Sequence, residues 1–569
     1  MRSNPPFRIR LLSFFILCFA LVLISRLYFL QIVEGKSYGE RADRQYISPE
    51  EGLFERGSIF FTTKDGSVVA AATERNGFLF FINPKILENV EGVYQKLSAI
   101  ITFEHDSFLA KASKKEDTYE EIAHRLGEKQ ADAINALKIT GVSLAKEKWR
   151  FYPGEKLAST VIGLVAYKED SFGGRYGLEK YYDDVLARDG KVTYTNFFAD
   201  IFSGVKKVLF KTSELQGDLV LTIEPTVQDF LETKLAEVHK KWGGSPTGGI
   251  IMDPKTGEIL AMAVNPDFNP NSFSEEENVS VFNNPLIQSS YEMGSIIKPI
   301  TMAAGLDAGA IVPETTYEDL GFLVLNGSRI ANFDGKGRGI VSMQEVLNQS
   351  LNTGAAYVAL KMGKEKFPDY MEEFGLGEET GIDLPGEVQG HIENLKSNRE
   401  IEQATASFGQ GIAMSPIITI RALSALSNGG ILPSPHVVKR INYDIGISKD
   451  MSYNPGKQVI KPETSETITR MLVEVVDKAL LNGTLKMKNY SVAAKTGTAQ
   501  IAKEGGGGYY DDRYLHSFFG YLPAYNPSFI IFLYTVNPIG VRYASETLSH
   551  PFNDISKFLI NYYEIPPDR

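Results

Sequence analysis

The sequence predicts a mixed α+β chain with three parts: one N-terminal transmembrane helix, a β-rich intermediate region, and a C-terminal domain in which helices sandwich an antiparallel sheet. Three observations carry this. Residues 11–33 form a nearly uncharged run behind Arg2, Arg8 and Arg10. Short β-branched and aromatic segments punctuated by Gly and Asp turns recur through residues 37–240. Beyond residue 248, hairpins and late apolar strands flank a block of amphipathic helices.

The 569 residues suffice for two or three domains, and 43% hydrophobic with 23% charged residues is ordinary for a globular protein. A formal net charge of −11 argues against a nucleic-acid partner. The one cysteine, Cys18, lies in the apolar run, which excludes disulfides, thiolate metal sites and a cysteine nucleophile in a folded domain. Seven scattered histidines form no His-x-x-x-His pair.

Within residues 11–33, Arg26 interrupts the apolar character, and the run spans a bilayer if Arg26 snorkels to the interface. No small-x-small cleavage site precedes it, so an uncleaved anchor is favoured over a signal peptide. Residues 1–10 would then be a cytoplasmic tail, with everything past the anchor extracytoplasmic.

In the region 37–240, Gly57–Phe61 and Gly66–Ala71 read as strands around a Lys64-Asp65-Gly66 turn. Residues 118–137 read as an amphipathic helix, and 141–144 and 160–165 as strands. No chemistry is visible, so this is a spacer or interaction domain. Residues 242–249, rich in Gly, Ser and Pro, read as a linker.

Residues 248–569 form the last domain. A hairpin is expected at 249–264 around Pro254-Lys255-Thr256-Gly257. Helices are expected at 342–362 (capped by Ser342 and Glu345), 416–427, 463–480 and 553–563. Residues 490–501 and 529–536 read as strands. Gly294 reads as the N-cap of a further buried helix that places Ser295 and Lys298, three apart, on one face. The Ser295 N–H lies among the unpaired donors at the helix start and could face an oxyanion. A buried Lys298 would lose pKa, and a neutral lysine can take a serine proton.

Alone the pair is weak, since Ser-x-x-Lys should arise about twice in a chain this long; Ser203 and Lys206 make a decoy. Weight comes from order. Ser295-x-x-Lys298, Ser350-x-Asn352 and Lys495-Thr496-Gly497 follow one another in helix-start, helix and strand contexts. The decoys Lys255-Thr256-Gly257 and Ser452-Tyr453-Asn454 have the wrong order or context.

This set is the signature of penicillin-binding proteins and serine β-lactamases, and further segments carry the resemblance. Tyr291-Glu292-Met293-Gly294-Ser295, Phe408-Gly409-Gln410-Gly411, Lys495-Thr496-Gly497-Thr498 and Asp383-Leu384-Pro385-Gly386-Glu387 resemble the family's transpeptidase domain. Arg56-Gly57-Ser58-Ile59, Gly174-Arg175-Tyr176-Gly177-Leu178-Glu179 and Leu221-Thr222-Ile223-Glu224 resemble the N-terminal boxes of class B penicillin-binding proteins. Two departures are Met293, where proline is usual, and Phe61-Thr62-Thr63, where the family reads Asp-Arg-Asn.

The resemblance implies an elongated pedestal or dimerisation-type domain and a β-lactamase-like penicillin-binding domain. It also implies peptidoglycan D,D-transpeptidase activity without metal or organic cofactor. Ser295 would be the nucleophile, Lys298 the base and Ser350 the proton relay. Asn352 would bind the substrate amide and Lys298; Thr496 and Thr498, with Lys495 and Gly497, would bind the terminal carboxylate. The N–H groups of Ser295 and Thr498 would form the oxyanion hole.

Implied partners are D-Ala-D-Ala stem peptides, β-lactams, membrane lipid, a glycosyltransferase and other cell-wall synthesis or division membrane proteins. The lead-in to Ser295 and the compact pedestal look more like the septal type. Alternatives are a lateral-wall transpeptidase, a membrane-bound D,D-carboxypeptidase, a β-lactamase, or a β-lactam sensor.

Overall fold

The computed structural model describes residues 19, 55–168, 171–188, 215–454, 456–503, 505 and 507–569. Apart from Phe19, the expected tail and anchor lie outside the described residues, as do Cys18 and the Ser203 decoy. Among the described residues no helix is long and apolar enough to cross a membrane.

The described chain divides into two compact units. The smaller is built on residues 75–149. Its core is Phe80, Leu97, Phe108 and Ile134, from the second half of strand Val68–Ile82 and helices Val90–Ser98, His105–Ala112 and Glu128–Ala136. The helix expected over 118–137 is instead a strand, Glu120–Leu126, followed by helix Glu128–Ala136. Pairing of Glu120–Leu126 with the edge at Phe78–Ile82 satisfies its backbone and outweighs its helical propensity; Gly127 separates the two elements. The region expected as one domain, 37–240, thus contributes to both units.

The larger unit takes residues 56–74, 150–188 and the described residues from 215 onward. Ile59–Thr62 pairs with Val68–Ala72 across the expected turn. It also runs parallel to Gly217–Leu221, which in turn pairs with Val438–Tyr443. Residues 160–165 are not one strand. A short helix, Ser159–Ile162, ends at Gly163 (φ +79°), a conformation that breaks extension, and Val165–Lys168 follows as a strand.

At the centre of this unit is an antiparallel five-stranded sheet. Its strands are β1 (Thr247–Met252), β2 (Ile259–Asn265), β3 (Ala493–Ala502), β4 (Tyr509–Leu522) and β5 (Phe529–Val536), in the order β3-β4-β5-β1-β2. The nearly continuous apolar run of β5 suits a strand covered on both faces. Alternation along β1 demonstrates that cover. A Cβ at Gly248 would touch Leu286, whereas one at Gly249 would touch Leu231 of helix Pro225–Trp242.

Helix Pro225–Trp242 therefore belongs to the sheet's outer layer rather than to a separate domain. It stacks Phe230 on Phe558 of helix Ser549–Tyr562 at 4.0 Å. The expected linker is likewise part of the sheet, because Ser245 N–H donates to Val536 O and Thr247 and Thr535 share a 2.7 Å hydroxyl contact. Helices Pro416–Ser424 and Pro462–Glu474 also pack on the sheet, and Lys298–Asp307 packs on Pro462–Glu474.

Candidate active site

Ser295 lies in a 3₁₀ turn, Gly294–Ile297, that runs into helix Lys298–Asp307. The cap is Met293 rather than Gly294; Gly294 has φ +64° and donates its N–H to Gly409 O at 3.1 Å. Gly409 allows that contact, since a Cβ there would sit 2.3 Å from Gly294 O. Pro299 lies in the first turn of the helix, where no donor is lost.

β3 passes directly over this turn. A Cβ at Gly497 would lie 2.3 Å from Ser517 Oγ and 2.7 Å from Met293 O, and Ser517 Oγ already donates to Met293 O at 2.9 Å. Gly497 thus sets the approach of strand to serine turn and is buried outside the cavity lining.

The two lysines converge on one hydroxyl. Lys298 is fully buried, and its Nζ donates to Ser350 O at 2.5 Å and Ser350 Oγ at 3.2 Å. Lys495, also buried, donates to Ser350 Oγ at 3.0 Å and Thr496 O at 3.1 Å. Among the described residues neither lysine has a carboxylate partner. Burial therefore lowers both pKa values: Lys298 falls well below the ordinary range, with the Lys495 charge adding to the effect, and Lys495 falls to about 8.

This convergence depends on a break in the helix expected over 342–362. Ser342 does cap it, accepting the Glu345 N–H, but helix Met343–Asn348 stops and Asn352–Met362 starts anew. Ser350 is left-handed (φ +55°), and Leu351 N–H reaches back to Val346 O, closing a Schellman-type turn. A serine there costs about 1 kcal/mol, and such strain clusters at functional sites. The Glu345 side chain binds Asn348 and Gln349 instead of completing the capping box.

Two expected contacts are absent among the described residues. Ser295 Oγ, half-buried and lining the cavity, makes no hydrogen bond, and Lys298 Nζ donates to Ser350 instead. Asn352 does not reach Lys298; its Nδ2 donates to Ala331 O at 2.9 Å, leaving Oδ1 for a ligand. Thr498 Oγ1 accepts the Ala544 N–H at 3.1 Å, so its own proton remains available. Thr496 and Thr498 both line the cavity.

The cavity holds about 850 Å³ and brings Ser295, Ser350, Asn352, Lys495, Thr496 and Thr498 to one space. Much of its remaining wall was invisible in the sequence, namely Arg329–Phe333, Val475, Ala479–Leu481 and Arg542–Ser545. The third segment follows a π turn, Val475–Ala479, that ends the expected 463–480 helix. One further fixture is Tyr509, whose hydroxyl donates to Glu292 (3.0 and 3.1 Å), a carboxylate that also accepts the Gly411 N–H. Burial raises the Glu292 pKa. Tyr509 had no signal in the sequence, and Glu292 was legible only as part of the lead-in to Ser295.

Residues 247–557 match the penicillin-binding protein transpeptidase domain, and residues 54–217 match the penicillin-binding protein dimerisation domain. The chain is a class B penicillin-binding protein. This class B protein is 31% identical to stage V sporulation protein D of Bacillus subtilis, over 96% of this chain and 85% of that one. It is 27% identical to the peptidoglycan D,D-transpeptidase FtsI of Buchnera aphidicola, over 97% and 94%. Among solved structures it is similar to penicillin-binding protein 3 of Mycobacterium tuberculosis complexed with ampicillin. That match has a TM-score of 0.65 and 26% identity and covers 74% of this chain and 91% of that one.

Proposed function

We propose that this protein crosslinks peptidoglycan as a serine D,D-transpeptidase, anchored through residues 11–33 in the bacterial cytoplasmic membrane and acting in septal wall synthesis. Ser295 Oγ attacks the penultimate D-alanine carbonyl of one stem peptide, and neutral Lys298 takes its proton. The N–H groups of Ser295 and Thr498 hold the oxyanion. As the C–N bond breaks, Ser350 passes a proton to the departing D-alanine. Lys495, Thr496 and Thr498 hold the terminal carboxylate, and Asn352 Oδ1 takes a substrate amide N–H. An amine of a second stem peptide then attacks the acyl-enzyme, forming the crosslink and freeing Ser295. β-Lactams enter the same path and stop at the acyl-enzyme.

The observation that carries this reading is Ser350 Oγ held between two buried lysines without counter-ions, in the wall onto which Ser295 opens. Likeness to FtsI and the Tyr291-Glu292 lead-in support the septal role. The Bacillus relative, named for stage V of sporulation, favours a developmental role as the second reading. A glycosyltransferase and division membrane proteins are the proposed partners.

Fluorescent-penicillin labelling of the wild type beside Ser295→Ala tests the chemistry, with adduct mass followed over hours. A lasting label absent from the variant is expected. Rapid release of hydrolysed drug would identify a hydrolase instead. Membrane fractionation of the full chain beside one starting near Glu34 tests the anchor, and the shorter chain should leave the membrane fraction.

A further inference from the structure

The cavity carries a charge pattern that the mechanism does not use. In a chain of net charge −11, none of its described lining residues is acidic, while Arg329, Arg338, Arg542 and Lys495 all line it. Lys495 belongs to the reacting centre. Arg338 is neutralised, because its guanidinium makes paired bonds to Asp334 at 2.8 and 2.9 Å. Arg329 and Arg542 differ. Among the described residues neither has an ion-pair partner, and aromatic rings hold each in place. Arg329 lies 4.4 Å over Phe322, and Arg542 lies 6.0 Å from Tyr514 and 5.6 Å from Tyr543. Cation–π contact of this kind spends none of the N–H donors, and a guanidinium with free donors suits a carboxylate.

Both arginines are tied to groups at the reacting centre. Arg329 is two residues from Ala331, whose carbonyl accepts from Asn352. Arg542 is two residues from Ala544, whose N–H donates to Thr498. Two residues of extended chain span roughly 7 Å. His516, opposite Thr498 in the sheet, secures the second arm, with Nε2 3.0 Å from Arg542 O and Nδ1 2.9 Å from Thr547 Oγ1. Burial keeps that imidazole neutral, with its pKa at about 4. At about 850 Å³ the space suits a drug-sized ligand, with room beyond the terminal dipeptide.

Building on the transpeptidase reading, we infer that Arg329 and Arg542 form a second anion-binding wall, selecting an acyl donor with a side-chain carboxylate upstream of D-Ala-D-Ala. The class of substrate is a stem peptide whose third residue is a free diamino diacid rather than its amide or lysine.

The test uses two penicillins made from 6-aminopenicillanic acid and a six-carbon diacid, with the far carboxyl either free or amidated. Second-order acylation constants are measured on the full chain. The wild type should prefer the free acid by about tenfold, the worth of one charge-assisted hydrogen bond. Raising the salt should erode that preference. In Arg329→Gln/Arg542→Gln the ratio should fall to about one, with the amide compound in the same variant as internal reference. A wild-type ratio near one, or a preference that survives in the double variant, overturns the inference. If neither compound acylates the folded wild type, the transpeptidase reading fails and the inference falls with it. Lys495→Arg, which keeps both wall arginines, should retain the preference whatever its absolute rate.

Discussion

At the scale of single residues, the decisive feature is a pair of lysines deprived of counter-ions. Lys495, with a pKa near 8, must be charged to hold a carboxylate, whereas Lys298 must be neutral to act as base. Acylation should therefore rise with pH as Lys298 deprotonates and fall above about pH 8 as Lys495 loses its proton. In Lys495→Arg the guanidinium stays charged, so the falling limb should vanish from the pH profile of the acylation constant even if the rate is lower. An unchanged alkaline limb would assign it to another group. The same burial affects stability. The folded pKa of Lys298 lies below its unfolded value, so the unfolded chain binds more protons between the two, and stability rises with pH across that window. Lys298→Met should reduce that slope to the part that Lys495 contributes above about pH 8, and stabilise the fold at neutral pH while abolishing acylation. Calorimetry at pH 7 and 9 reads the first effect; a destabilised variant would mean the Ser350 hydrogen bonds outweigh the desolvation.

At the scale of elements, the site is an encounter of three backbones: the serine turn, the left-handed turn at Ser350 and strand β3. Gly497 is where two of them touch. In Gly497→Ala the new methyl meets Met293 O, which belongs to the backbone and cannot swing aside. Overpacking of this kind costs about 1–3 kcal/mol. Here it should also move Lys495 away from Ser350 and lower the acylation constant at least tenfold; a wild-type constant with wild-type stability would refute this account of the glycine. These elements differed in legibility. The Ser295–Lys298 spacing and the alternating β3 segment are local patterns and could be read directly. The break at 349–351 could not, because residues 342–362 are continuous in helical periodicity. What stops the helix is Ser350 lodged between two lysines from elements distant in sequence.

For the larger unit as a whole, integrity rests on segments that are far apart in the chain. Glu179 is fully buried and accepts from Arg56 Nε at 2.5 Å and Arg150 Nε at 2.7 Å; both arginines are themselves nearly inaccessible. None of these residues lines the cavity. Glu179→Ala would leave buried Arg150 without its carboxylate and Arg56 with Asp183 alone, and should destabilise the unit by about 3–5 kcal/mol. Penicillin labelling per folded molecule should be retained, so denaturant midpoints and labelling yields together separate a structural role from a catalytic one. Loss of labelling at wild-type stability would contradict that separation.

The chemistry was legible because it is written in short spacings: three residues from Ser295 to Lys298, two from Ser350 to Asn352, and the strand-borne Lys495-Thr496-Gly497-Thr498. Local geometry converts such spacings into shared faces, and their order along the chain made coincidence implausible. Four of the five central strands were visible as well, β1, β2 and β5 through apolar runs that suit burial on both faces and β3 through its motif, whereas β4, polar in its first half, was not read as a strand. Tertiary structure alone decided that Ser350 turns left-handed, that helix Pro225–Trp242 joins the sheet, and that Glu120–Leu126 is a strand. It also decided which loops wall the cavity. Those outcomes depend on which distant segment supplies a hydrogen-bond partner or a ring face, and that choice is energetic over the assembled fold, with no trace in the periodicity of any one segment. Arg329 and Arg542 illustrate the point: 213 positions apart in the sequence, they become one wall only when the hairpin of Phe322–Leu325 with Ser328–Ala331 and the segment after β5 close on the same space.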